Sequence, residues 1–182
     1  MKKMISSLAL LFAGAAILCA APVDANGMFK RYNKKTFAPA DWSPNMAPKH
    51  AKLINLTVKP SEDPKKSNVL TIDTTKGGGV PLRHVKGIPC KPGDKIIITA
   101  DVKVAGRFGI TLNKYGKKGF LRDQGQSYRL LDKKTPIKFE TVLTEDKVPK
   151  DLFKIHVILD FPKGKISTLE NLKIEHIPAA KK

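Results

Sequence analysis

Between Cys90 and Gly106 the chain writes a turn, a strand and a second turn without interruption. Pro92 and Gly93 punctuate the opening. Ile96, Ile98, Ala100, Val102 and Val104 then fall on one face of an extended segment, while Lys95, Thr99, Asp101 and Lys103 fall on the other. One dry and one wet face in strict alternation is the pattern of a half-buried strand in a sandwich.

The pattern recurs along the chain. Leu53 to Val58, Asn68 to Asp73 and Val80 to Val85 read as strands before it, and Phe108 to Leu112 and Ser127 to Leu131 as strands after it. Ile137, Phe139, Thr141 and Leu143 alternate with polar neighbours, as do Phe153, Ile155, Val157, Leu159 and Phe161. Leu172 and Ile174 share a face of the last segment, Leu169 to His176. Polar or glycine-rich breaks separate them, at Lys59 to Lys66, Gly77 to Gly79, Asn113 to Gly119 and Gly164. The expectation is an all-β chain: an antiparallel β-sandwich (jelly roll) of about eight or nine strands with no substantial helix in the mature chain. The triplet Gly77-Gly78-Gly79 is not a phosphate loop, since no Gly-Lys-Ser/Thr and no helical pattern follow it.

Ahead of the sandwich, Lys2 and Lys3, the apolar run Leu8 to Leu18 and the small residue ending Val23-Asp24-Ala25 have the form of a secretory signal. The domain expectation is a cleaved signal peptide over 1–25, an irregular N-terminal arm over 26–52 that packs Phe29, Tyr32, Phe37 and Trp42 on a sheet edge, a β-sandwich over 53–178 and a basic tail over 179–182. That places the protein outside the cytoplasm, secreted or periplasmic, with no transmembrane span left after cleavage. Leu18 before Cys19 speaks against lipidation there. Once Cys19 leaves, Cys90 is the one thiol, so neither a disulfide nor a cysteine metal cage is available.

Charge is the unusual quantity. The chain has 34 Lys and Arg against 16 Asp and Glu, and without 1–25 the balance is 32 against 15. Such an excess favours polyanionic partners or adhesion to an anionic envelope polymer or protein; with no reading motif beside it, it does not indicate a specific nucleic acid.

Five stretches resemble a known family. Ser67-Asn-Val-Leu-Thr-Ile72 followed by Val85 and Lys91-Pro-Gly-Asp-Lys95, the strand ending Lys103-Val-Ala-Gly106, and the pair Ile137-Lys-Phe-Glu-Thr-Val-Leu143 and Ile166 to Ile174 are similar to CenC-like carbohydrate-binding modules of the galactose-binding-like jelly-roll group. The resemblance spans roughly Leu53 to Ile177 and rests on strand and turn positions. It implies a β-sandwich that binds sugar in a cleft across one sheet or at the loop tips, often with a structural calcium. For that ion Glu170, Asp73 and Asp160 are the available acids, but no Asp-x-Asp cluster supports it, so no metal ligand and no cofactor is expected.

A sugar site needs an aromatic platform for the ring and polar groups for its hydroxyls. Trp42, Tyr115, Phe120 and Tyr128 are candidate platforms, although a single Trp more often plugs a core. Gln124, Gln126 and the arginines Arg83, Arg107, Arg122 and Arg129 are candidate polar contacts, arginine being suited to bidentate sulfate or carboxylate recognition. His50, His84, His156 and His176 lack metal spacing, no Gly-x-Ser-x-Gly elbow occurs, and Asp101, Asp123, Glu140 and Asp160 can be paired only by a fold. The reading is therefore a secreted, non-catalytic module for polysaccharide, anionic by preference. The competing reading is a structural or adhesive envelope protein with an exposed apolar patch or an unpaired edge strand.

Overall fold

Every second residue of the Lys95 strand is buried, as its alternation requires: Ile96, Ile98 and Val102 are closed to solvent, while Lys95, Ile97 and Thr99 are half-exposed. The computed structural model describes residues 21–144 and 151–180. Most of the expected signal, including Cys19, and the tail residues Lys181 and Lys182 lie outside the described residues. In chain order the elements are β1 (Ala21–Pro22), β2 (Trp42–Pro44), α1 (Pro48–Ala51), β3 (Asn55–Lys59), β4 (Val69–Asp73), β5 (Val80–His84), β6 (Ile88–Pro89), β7 (Lys95–Lys103), β8 (Ala105–Gly116), β9 (Gly119–Leu131), β10 (Thr135–Val142), β11 (Leu152–Phe161) and β12 (Ile166–Ile177). The nine strands of five residues or more correspond to the nine strand segments legible in the sequence, and the short β1, β2 and β6 are additions.

Two antiparallel sheets face each other. The first has the order β10-β7-β12-β4-β3, with β1 on β12; the second has the order β2-β5-β11-β8-β9, with β6 on β11. Because consecutive strands often lie in different sheets, the chain crosses the sandwich repeatedly, which makes the architecture a jelly roll rather than stacked hairpins. Between the sheets Ile96, Ile98 and Val102 of β7 meet a layer that includes Phe108, Ile110 and Leu112 of β8 and Ile155, Val157 and Leu159 of β11, in one continuous apolar core. Cys90 is buried at the rim of this core, and burial pushes its thiol up to about 12, so it behaves as a small apolar filler.

The N-terminal segment is more deeply built in than an arm on an edge. Phe29 is fully buried, Trp42 is 4% exposed, and β2 adds three residues to the second sheet beside β5. Trp42 Nε1 donates to the Ala25 carbonyl at 2.8 Å, and Asn26 Nδ2 donates to the carbonyls of Arg31 and Ala40. Ala21 to Ala25, counted in the sequence reading with the expected signal peptide, contribute to the body: β1 pairs with Glu175 and His176, and Ala25 is buried. Trp42, weighed as a sugar platform, is thus a core plug.

The expected turn over Asn113 to Gly119 is shorter than its composition suggests. β8 continues to Gly116, the chain reverses at Lys117 and Lys118, and β9 starts at Gly119. A thirteen-residue strand therefore stands where the sequence shows only its last part, Ser127 to Leu131.

Candidate functional site

Strand alternation and register decide what the outer face of the second sheet displays. With Phe108, Ile110 and Leu112 turned to the core, Arg107, Gly109, Thr111, Asn113 and Tyr115 of β8 face out, and the paired residues of β11 and β9 follow them. One row across the strands reads Pro81, Asp160, Gly109, Ser127; the next reads Arg83, Ile158, Thr111, Gly125; a third reads His156, Asn113, Asp123. Small residues at the centre and larger polar ones around them leave a groove.

The groove has a volume of about 620 Å³ and is lined by Arg107, Gly109, Thr111, Asp123 to Ser127 and Asp160 to Pro162. Its depth depends on two glycines. A Cβ on Gly109 would lie 3.2 Å from Asp160 Oδ2, and one on Gly125 would lie 2.6 Å from the Ile110 carbonyl oxygen, so side chains at these places would fill the groove or push its strands apart.

Its polar groups are held in place by one another. Thr111 Oγ1 donates to Asp160 Oδ2 at 3.0 Å, and Arg107 donates to Ser127 Oγ through Nε at 3.0 Å and Nη2 at 2.8 Å. Burial pushes the Asp160 carboxyl above its ordinary value and the Asp123 charge adds to this, while the Thr111 hydrogen bond and Arg107 oppose it. The groove thus offers hydroxyl, carboxylate and guanidinium groups at fixed positions, which suits a ligand rich in hydroxyls.

Farther along the same face is an aromatic end. Tyr115 and Phe120 meet edge to face with centroids 5.6 Å apart, Tyr115 and His156 likewise at 5.3 Å, and Lys154 Nζ lies 5.7 Å from the Tyr115 ring. Phe120 is 56% exposed, so a flat ligand can reach it. His156 Nδ1 sits 3.0 Å from the His84 carbonyl and so donates to it, which fixes the ring and explains a histidine on this face without a metal.

The candidates named from sequence divide by strand face. Arg83, Arg107, Tyr115, Phe120 and Arg129 belong to the open face, although Arg107 alone of these lines the groove. Gln124 and Gln126 line its β9 edge, but the Gln124 side chain is committed between the sheets: it accepts from Lys114 Nζ and donates to Thr141 Oγ1, both at 2.7 Å. Tyr128 is turned the same way. Its ring lies 6.2 Å from that of Phe108 and its hydroxyl donates to the Lys138 carbonyl, so it is no platform. Arg122 stands opposite Lys114, on the side away from the groove.

The residues missed are Gly109, Thr111, Gly125, Ser127 and Asp160 as a group. Their signal was present: small residues recur at the outward positions of an otherwise apolar strand, Gly109 and Thr111 between Phe108, Ile110 and Leu112. The acids available for a family-type calcium do not converge. Asp160 faces the groove, Asp73 on β4 accepts from Thr75, and Glu170 on β12 takes Lys134; among the described residues no group of three His, Cys, Asp or Glu could hold a metal.

No family model matches this sequence. No curated protein matches it either. Solved structures do match in shape. A cyclase from Fischerella sp. TAU superposes with a TM-score of 0.55 at 12% identity, over 90% of this chain and 99% of that one. The CBM22-1 xylan-binding domain from Paenibacillus barcinonensis does so with a TM-score of 0.54 at 10% identity, over 84% and 92%. An endo-1,4-β-D-xylanase from Clostridium thermocellum, solved as CBM22-1 and GH10 modules with xylohexaose, gives 0.53 at 12%, over 74% of this chain and 26% of that one. Likeness at this identity shows a shared jelly-roll fold.

Proposed function

We propose that this protein is an exported, non-catalytic carbohydrate-binding module, and that its ligand is a polysaccharide bearing carboxylate or sulfate groups. The groove over β11, β8 and β9 is the observation that carries the reading: two glycines open it, and Arg107, Thr111, Asp123, Ser127 and Asp160 line it with groups that match sugar hydroxyls. Fold likeness to xylan-binding domains supports the ligand class, and the basic, signal-bearing N-terminus supports export.

Preference for anionic glycan rests on how charge divides between the faces. On the outer face of the first sheet three acids have lysines beside them: Glu140 takes Lys138 and Lys95, Glu170 takes Lys134, and Asp101 lies 3.9 Å from that lysine. On the outer face of the second sheet Arg83, Arg107, Arg129 and Lys154 outnumber Asp123 and Asp160. Arg107 lines the groove itself, a guanidinium suited to a carboxylate or sulfate group.

A non-catalytic role fits the placement of the two groove acids. Asp160 is level with Gly109 and Asp123 with Asn113, four residues along β8 and two strands apart, and Asp160 is engaged by Thr111. They serve this reading as hydroxyl acceptors rather than as an acid and base across one bond.

A glycan array read at low and at high salt tests the proposal. Retention of uronic-acid or sulfated polymers that weakens as salt rises is expected. Retention of neutral glycans alone, unaffected by salt, would remove the anionic preference. Retention of none would shift the reading to the adhesive envelope protein.

A further inference from the structure

An edge strand presents a row of unpaired amides and carbonyls to any chain that can align with it, and proteins protect such edges by keeping them short or placing proline and lysine on them. The edges of this sandwich are protected unequally. β1 and β6 are two residues each and end in proline, and β2 is three residues and ends in Pro44. β3 is five residues, ends in Lys59 and runs into Pro60; β10 carries Pro136 and Lys138. β9 has thirteen residues, mostly exposed, with neither proline nor lysine among them, and among the described residues its outer edge has no partner strand.

We propose that β9 pairs with β9 of a second copy of this chain, antiparallel, about a two-fold axis at Gln126. Side chains directly opposite in a pair must share a face, so a two-fold axis normal to the sheet has to pass through a residue meeting its own counterpart. With Gln126 on the axis, Asp123 of each copy stands opposite Arg129 of the other. Shifting the axis to Gly125 sets Arg129 against Leu121, and shifting it to Ser127 sets Asp123 against Leu131, so both neighbouring registers lose the charge match.

Within one chain these two residues lack such a match across the strand. Arg129 is paired in register with Arg107, a like-charge neighbour that disfavours the pair, and Asp123 is paired with Asn113. A second copy supplies each with its counter-ion, on the side of β9 that β8 leaves open. The contact is self-complementary and closes at two copies. It joins the second sheets into one continuous sheet and brings both grooves to the same face, side by side. A long polymer spanning both would bind with added avidity.

Sedimentation equilibrium over a concentration series, from low to several hundred micromolar, is the test. The protein is expected to pass from monomer to dimer and no further. Asp123→Arg and Arg129→Asp should each weaken the dimer by about tenfold, and the double exchange should restore it, since the pairs are then re-formed with signs reversed. If the single variants fold poorly, hydrogen exchange on the unaltered protein decides: amides between Arg122 and Leu130 that slow as concentration rises support the pairing. A monomer at every concentration, a dimer indifferent to both reversals, a mass growing beyond two copies, or β9 exchange independent of concentration would each overturn it.

Discussion

His84 shows what one residue adds to a sandwich of otherwise apolar strands. It faces inward from β5, 1% exposed, with its ring centroid 5.1 Å from that of Trp42, and burial holds its pKa below the ordinary imidazole value although the Asp41 charge opposes this. A depressed histidine pKa means the unfolded chain takes up the proton first. The stability that His84 contributes is therefore complete above its unfolded value of about 6.5 and declines as pH falls below it. Urea unfolding between about pH 7.5 and about pH 5 should show stability falling with acidification, and His84→Leu should flatten that slope. An equal slope in the variant would assign the acid sensitivity elsewhere. The sequence marks His84 only as a histidine without metal spacing, because what lowers its pKa is burial, which comes from the folded sandwich and not from its neighbours in the chain.

Among the elements, the turn before β7 was the clearest in sequence and has the least visible role there. Pro92 and Gly93 announce a reversal, and Gly93 adopts a φ of 91°, which favours glycine. What the sequence does not show is that Asp94, 2% exposed, accepts from the Lys91 and Ala179 amides at 3.0 and 2.8 Å and from His176 Nε2 at 2.7 Å. The turn thereby fastens the chain beyond β12 to the start of β7. Asp94→Ala would leave these donors without their acceptor in a largely closed site, and a loss of about 2 to 3 kcal/mol in urea unfolding is expected. A loss under about 0.5 kcal/mol would show the cluster to be replaceable by water.

β9 is the opposite case. Strands such as β7 and β11 are written in their own residues, but Gly125, Gln124, Gln126 and Asp123 are weak strand formers, and β9 exists through its pairing with β8 from Ala105 opposite Leu131 to Gly116 opposite Gly119. For that reason its sequence shows residue type and not face. Arg129 is on the open side, whereas Gln124 and Tyr128 proved to belong to the interior side.

At the scale of the molecule, periodicity specified two sheets and a core, whereas the groove arose from residues whose common feature is small size on one face of neighbouring strands. Gly109 and Thr111 come from β8, Gly125 and Ser127 from β9 and Asp160 from β11, and a linear reading has no means of placing the three strands side by side. Net charge was legible as a total but not as a distribution. On the first sheet Glu140, Glu170 and Asp101 have lysines beside them, whereas on the second Arg107 lines the groove. Amide chemical-shift mapping with a uronic-acid oligosaccharide tests whether this groove holds a glycan. Shifts concentrated at Arg107, Gly109, Thr111, Gly125, Ser127 and Asp160 are predicted. Shifts confined to the outer face of the first sheet, or spread evenly over exposed lysines, would contradict it.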